Sequence, residues 1–360
     1  MTFSQFPRWT RRQALWMMGG AIASTALHAC AQTSPSPSAP ATPGAPGAAT
    51  SPASGPMKAS MAITTWIGNT PMIIAQEKGF FEELGLELDI KLFDTVAQAF
   101  PAYTAGQLDG IAPVTSEVVS LAARNVDIQV VTVLDTSLGA DVILARNSVK
   151  NLQDLKGRKI GAERGGIGQF FVLQVLAQAG LTENDVEFVN LTPDAAAAAY
   201  QAGSIEVVYT YSPFSDQANA AQKDGRILFS TKEMPTAIAD LYCFSSKFIA
   251  ANPQAVQAFV DGNFKGLEFL QKNPQEGLPI MAKRLNITPA ELAEQLKGLQ
   301  LPDLATNVEM LGNPNSDLSL LKPMNEMARF LKAQGKIDTI PDMAKHLDPT
   351  FVKAALAKLG

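Results

Sequence analysis

The chain has 360 residues, 46% of them hydrophobic and 18% charged, with 29 Lys and Arg against 34 Asp and Glu for a formal charge of −5. That length suits two units that each bury a core, and a mildly acidic chain without a basic block has no electrostatic footprint for nucleic acid. Two cysteines, Cys30 and Cys243, exclude a disulfide scaffold, and two histidines, His28 and His346, leave little imidazole chemistry.

Arg8, Arg11 and Arg12 precede an uncharged run over 14–27 that closes on Leu27-His28-Ala29-Cys30. This is the layout of an export signal, and its apolar run of about 14 residues is short for a membrane span. The last four residues resemble a bacterial lipobox, which would make Cys30 the acylated first residue of the exported chain. Thr10-Arg11-Arg12-Gln13-Ala14-Leu15 resembles a twin-arginine signal, so both Tat and Sec export stay open. The alternative is a plain cleaved signal with an incidental cysteine. With Cys30 as the first residue, cleavage takes away three Arg and no acid, so the exported chain is more acidic still. It keeps Cys243, read as a small core hydrophobe. Residues 31–57 hold seven prolines among Ala, Ser, Thr and Gly, with a single Gln, a closing Met57, no charge and no aromatic. Such a stretch cannot bury enough apolar surface to offset chain entropy and reads as a disordered tether.

From about residue 58, apolar runs alternate with amphipathic segments. The patterns predict a strand over 59–66, a helix over 71–83, a strand over 86–92, a helix over 97–105, a strand over 110–114, a helix over 117–124 and a strand over 128–134. After an extended run at 142–145 a second set follows: strand 159–162, helix 169–179, strand 186–190, helix 193–202 and strand 205–210. The remainder, from about 252, is helical, with amphipathic stretches at 253–271, 289–298 and 318–334 and with Asn252, Thr288 and Thr350 at or near helix starts. Strand and helix alternation predicts parallel α/β layers. Two such sets predict a two-lobed α/β fold with a cleft between lobes. The first lobe takes 58–143 and 240–360, the second takes 144–239, and the chain crosses near 141–145 and 240–244.

In open parallel sheets ligands sit beyond the carboxyl ends of strands, where helix N-termini present N–H groups and partial positive charge. The segments in that position are Trp66-Ile67-Gly68-Asn69-Thr70-Pro71, Thr115-Ser116-Glu117, 135–141, Glu163-Arg164-Gly165-Gly166-Ile167-Gly168 and Tyr211-Ser212-Pro213-Phe214. Thr115 and Ser116 read as hydroxyls capping the next helix. Each loop taken singly is ordinary capping or packing; their recurrence in both sets points to a polar cleft for a small ligand with anionic oxygens.

Enzymatic readings find less support. Gly165-Gly166-Ile167-Gly168 lacks the third glycine of a dinucleotide fingerprint, since Phe171 stands there, and no Walker lysine, His-Glu-x-x-His or Gly-x-Ser-x-Gly is present. His346, alone after export, reads as a surface or structural residue. Asp135, Asp141, Glu163 and Asp240 match no calcium-loop spacing and read by default as solvated or hinge carboxylates. No metal or cofactor is expected.

Residues 66–86, with Pro71-Met72-Ile73-Ile74-Ala75-Gln76-Glu77-Lys78-Gly79-Phe80-Phe81, resemble the opening helix of the periplasmic nitrate/sulfonate/taurine substrate-binding proteins of ABC importers. Ala105-Gly106-Gln107-Leu108-Asp109-Gly110, Leu152-Gln153-Asp154-Leu155-Lys156-Gly157-Arg158-Lys159-Ile160-Gly161 and 201–207 fit the same layout. The resemblance spans nearly all of the chain after the tether. It implies the type II periplasmic-binding-protein fold, a small-molecule ligand, permease and ATPase subunits as partners, and an extracytoplasmic monomer tethered to a membrane through Cys30. By position it implies Trp66, Asn69, Thr70, Thr115, Ser116, Gly166 and Tyr211 as ligand contacts, with Gly165 in the same turn as Gly166. Residues 205–214 depart from the family's usual acidic strand and Trp-Glu-Pro turn. The same family includes binders of thiamine-pyrimidine precursors and shares its fold with pyrimidine-synthesis enzymes that use pyridoxal phosphate and an active-site histidine. Helix N-termini favour an anionic head group, whereas Asp135, Asp141 and Asp240, if they line the cleft, suit an ammonium. Together they suggest a zwitterion such as taurine.

Overall fold

The computed structural model describes residues 55–358. The export signal, the Cys30 lipobox and the tether as far as residue 54 lie outside the described residues. Strand β1 (Met57–Thr64) starts within the stretch assigned to the tether, and Met57 already pairs with Leu86 of β2 (Leu86–Phe93) in parallel register. Apolar Ala59, Met61 and Ile63 reach the core on one face of β1, and Ala62 is buried on the other. A strand covered on both sides is the expected outcome for a parallel sheet centre.

Five further strands complete the first lobe's sheet or begin the second's: β3 (Gly110–Ile111), β4 (Gln129–Ser137), β5 (Asp141–Arg146), β6 (Lys159–Ala162) and β7 (Glu187–Asn190). Then follow β8 (Val207–Tyr211), β9 (Gly225–Ser230), β10 (Ala239–Phe244) and β11 (Leu299–Gln300). They form a six-stranded sheet in the order β11-β4-β10-β3-β1-β2 and a five-stranded sheet in the order β7-β6-β8-β5-β9. Each sheet belongs to one lobe. The sheets are mixed rather than wholly parallel, because β10 runs antiparallel to β3 and β4, and β5 runs antiparallel to β8 and β9. These are the strands that carry the chain between lobes, so they enter each sheet against its direction.

Three expected elements are altered for identifiable reasons. Gly79, with φ +74°, stops the first helix, so the expected 71–83 helix becomes Thr70–Glu77 and a separate turn Phe80–Glu83. Pro113 has no N–H to donate, and β3 ends at Ile111 with only an isolated bridge between Val114 and Asp240 beyond it. β4 runs on to Ser137, three residues past the expected end, because β10 and β11 flank it on both sides. Asp135 therefore sits inside a strand, not in a loop. The helix Phe214–Ala221 and strand β9 were not anticipated, and helices Pro274–Leu285 and Leu304–Gly312 lie in the remainder expected to be helical without having been delimited there. Among the described residues no helix is long and apolar enough to cross a membrane.

The two crossings, 138–140 and 231–238, are tied together by Thr231. Its hydroxyl lies 2.8 Å from Ser137 Oγ and accepts the Gly139 N–H at 2.7 Å, while its own N–H donates to the Asp141 carbonyl. Ser137 and Thr231 are fully buried. Thr231→Val keeps the volume but strands the Gly139 donor, which should cost about 1–2 kcal/mol. Urea titration should show a lower midpoint at unchanged slope; an unaltered midpoint would mean the hydroxyl does not hold the crossings together.

Candidate functional site

Where the lobes meet, residues from both line one cavity of about 30 Å³, the room of a single water-sized group. Thr64, Trp66, Thr95, Val114 and Glu117 come from the first lobe's segments, and Glu163, Ile167 and Tyr211 from the second's, with Asp141 and Asp240 at the crossings. Each polar wall follows from local structure. The helix Thr115–Ala123 begins at Val114, and its third residue, Glu117, turns back so that Oε2 accepts the Val114 N–H at 3.1 Å. Its other oxygen accepts the Ile167 N–H at 3.2 Å, at the start of the helix Ile167–Gln178 of the opposite lobe. One carboxylate thus joins two helix N-termini across the cleft. Trp66, just past β1, meets Tyr211 at the end of β8 edge to face, with ring centroids 5.3 Å apart.

The remaining carboxylates are anchored at one oxygen. Trp66 Nε1 donates to Asp135 Oδ2 at 2.9 Å, Tyr209 OH to Asp141 Oδ1 at 2.6 Å, and the Gly168 N–H to Glu163 Oε1 at 3.3 Å. Asp240 stands directly opposite Asp135 in the β4–β10 pairing. The second oxygens, Asp135 Oδ1, Asp141 Oδ2 and Glu163 Oε2, have no hydrogen-bond partner, nor has Asp240 Oδ2. Exposure is 1% for Glu117, 0% for Asp135, 1% for Asp141 and 5% for Glu163. Two glycines make the arrangement possible. A Cβ on Gly68 would fall 1.9 Å from Asp135 Oδ2, and one on Gly166 would fall 2.4 Å from Glu163 Oε1.

Of the residues singled out from the sequence, the structure therefore brings Trp66, Asp135, Gly166, Tyr211 and Asp240 to this place. The others lie elsewhere or are engaged in the fold. Asn69 donates to the Thr64 carbonyl at 3.0 Å and accepts from Tyr242 OH at 3.1 Å, and the Thr70 hydroxyl donates to the Ile67 carbonyl at 2.5 Å. Thr115 does not cap its helix. It occupies the first helical position, where its hydroxyl sits 3.4 Å from the Ala237 carbonyl, and buried Ser116 is the second. Gly165, at φ +81°, is exposed, and its N–H is taken by Gln169 Oε1. Thr64 and Thr95 were not anticipated, and Glu117 and Gly68 were named within their loops without a role. Glu117 could have been noticed as the acid three residues after a helix start. Asp141 and Asp240, read from the sequence as suited to an ammonium if they line the cleft, both line the cavity.

Burial without a cation pushes the whole group up. Desolvation raises Glu117 to about 8, with repulsion from Glu163 second. It raises Asp135 to about 7 against the Trp66 hydrogen bond, and Asp141 to about 6 against those from Ser137 and Tyr209. Glu163 rises to about 7 despite the Gly168 and Ile167 N–H groups. Asp240 is pushed well up by burial and then by the charge of Asp135. No lysine, arginine or histidine lines the cavity, and among the described residues no three His, Cys, Asp or Glu side chains converge as a metal cage.

Comparison with known proteins locates this geometry in a family. The family model described as NMT1/THI5 like matches residues 66–277. The taurine-binding periplasmic protein of Escherichia coli (strain K12) is 25% identical over 297 residues, 79% of this chain and 89% of that protein. The alkanesulfonate-binding protein SsuA from Xanthomonas axonopodis pv. citri, bound to MOPS, superposes with a TM-score of 0.67 at 18% identity, covering 82% of this chain and 99% of that one. The desulfurization enzyme DSZB superposes with a TM-score of 0.62 at 15% identity over 84% of this chain and 100% of that one, so the fold alone does not separate binding from chemistry.

The raised carboxyl groups set a pH dependence. Their folded pKa values exceed the unfolded values near 4, so the closed arrangement is most stable when they carry protons, below about pH 4, and that contribution is lost as pH rises through about 6 to 8. Tyr209, Tyr211, Tyr242 and Cys243 also face these groups, and burial holds all four neutral. Parting of the lobes rehydrates the charges, so without added solute the radius of gyration from X-ray scattering should grow between about pH 5 and about pH 8.5. Asp240→Asn, which removes one charge beside Asp135, should flatten the rise. A radius independent of pH would mean that the cleft does not carry this strain.

Proposed function

We propose, because the chain belongs to the NMT1/THI5-like family and folds two lobes over one cleft, that it is the solute-binding component of an ABC importer. It works outside the cytoplasm, as the periplasmic relatives do, and hands a small solute to a membrane permease served by ATPase subunits. The observation that carries this reading is the pair of cross-lobe contacts, Glu117 to the Ile167 N–H and Trp66 to Tyr211. Both form only when the lobes are together, so a solute that bridges the same walls stabilises the closed form that a permease can recognise. Acylation of Cys30 and a tether over 31–57 would keep the domain beside that permease.

The names of the relatives make a small organic nitrogen- or sulfur-containing molecule of the taurine and sulfonate kind the first class to test. A pyrimidine or thiamine precursor, or nitrate, is the alternative. Binding rather than chemistry fits the groups present. His346, the only histidine among the described residues, holds the Ile128 carbonyl through Nδ1 at 2.9 Å and does not line the cavity. A solute that raises the thermal midpoint should shrink the radius of gyration and be recovered unaltered after the protein is denatured. Recovery of a changed molecule with turnover, or stabilisation without compaction, would contradict the reading.

A further inference from the structure

The first anion site that the fold offers is the N-terminus of the helix Ile167–Gln178, whose free N–H groups and dipole would ordinarily receive a sulfonate or nitrate oxygen. Here those donors are already used by the protein's own carboxylates. Ile167 N–H binds Glu117 Oε1 and Gly168 N–H binds Glu163 Oε1. The Val114 N–H before the facing helix is likewise taken by Glu117 Oε2. An incoming anion would meet Glu117, Asp141, Glu163 and Asp240 with no basic side chain to offset them.

The acids that line the cavity, by contrast, have unused hydrogen-bonding capacity. Asp141 and Glu163 are 1% and 5% exposed, each is fixed by a donor at one oxygen, and each leaves the other oxygen without a partner, as does Asp240 at Oδ2. Buried oxygens of this kind are costly unless a donor reaches them. Trp66 and Tyr211 add π faces beside them, which attract a positive group. The lack of a metal cage among the described residues directs the charge to an organic group.

We propose that the solute taken in this cleft presents an organic cation, a protonated amine or amidine, whose N–H groups reach the free oxygens of Asp141, Glu163 and Asp240 beside the Trp66 and Tyr211 rings. The proposal rests on the solute-binding reading above and narrows it. Taurine separates the two ends of the question, because ethylammonium keeps its amine and ethanesulfonate keeps its sulfonate.

Isothermal titration of the exported chain at about pH 7.5 with ethylammonium, benzamidinium, taurine, ethanesulfonate, nitrate and magnesium ion provides the test. The cations should bind and compact the protein, and ethanesulfonate and nitrate should not. Asp141→Asn and Glu163→Gln should each weaken the cations by roughly tenfold or more. Both variants remove a self-repelling charge, so the thermal midpoint without solute should hold or rise, which separates lost binding from lost folding. Binding and compaction by ethanesulfonate or nitrate but not by the ammonium probes would overturn the cation while leaving the solute-binding reading intact. Binding of the cations without compaction would leave the cation standing and sink the importer reading. Binding of magnesium alone, or of no cation, would overturn the proposal.

Discussion

Glu117, Asp141, Glu163 and Asp240 are drawn out of water into one small cavity, with Asp135 behind them and no positive side chain among them. Loss of hydration by these acids is the largest opposing effect at this interface, with repulsion between them second, and the surrounding geometry answers it. Backbone N–H groups from the ends of two helices, the Trp66 indole and the Tyr209 hydroxyl each hold one carboxylate oxygen. Gly68 and Gly166 are bare because a Cβ at either place would displace the acid it faces. These donors leave the charge itself uncancelled. Protons or a cation must do that, so the balance between open and closed lobes depends on what neutralises the cleft.

The same acids sit where motion is concentrated. Asp135 lies near the end of β4, Asp141 opens β5, and Asp240 lies one residue into β10. These strands flank the two crossings that Thr231 ties together. A charge change in the cavity therefore acts directly on the segments about which the lobes turn, with no relay through the cores. Farther out, Lys336 of the C-terminal part of the first lobe pairs with Glu183 of the second, both about three-quarters buried. That ion pair adds a peripheral clasp of modest strength.

Much of the fold was legible because it rests on periodicity. Strands at 86–92 and 159–162, helices at 193–202 and 253–271, and the Thr288 cap, which binds the Glu291 N–H, match the structure to within a residue or two. Element ends set by partners were not legible, as with β4, whose extension depends on β10 and β11 more than a hundred residues away. The candidate site was only half legible for the same reason. Trp66 and Tyr211 could be placed from strand ends, but a hydroxyl near a helix start looks alike whether it faces a cleft or, like Thr70, bonds the chain three residues back. The acids come from separate segments, and their meeting depends on how the lobes close. Their default reading as solvated or hinge carboxylates followed from the ordinary cost of burying a charge. That cost is the feature that marks the place.

Counting protons on binding tests the account most directly. At about pH 6 the closed form holds protons on Glu117, Asp135 and Glu163, and a cation that takes over their role must expel some of them. Calorimetric titration of ethylammonium in two buffers of different ionisation enthalpy gives the number exchanged. Net proton release, reduced in the Glu163→Gln variant, is the predicted result. Binding with no exchange, or with proton uptake, would show that the carboxylates do not neutralise the solute and would contradict the account.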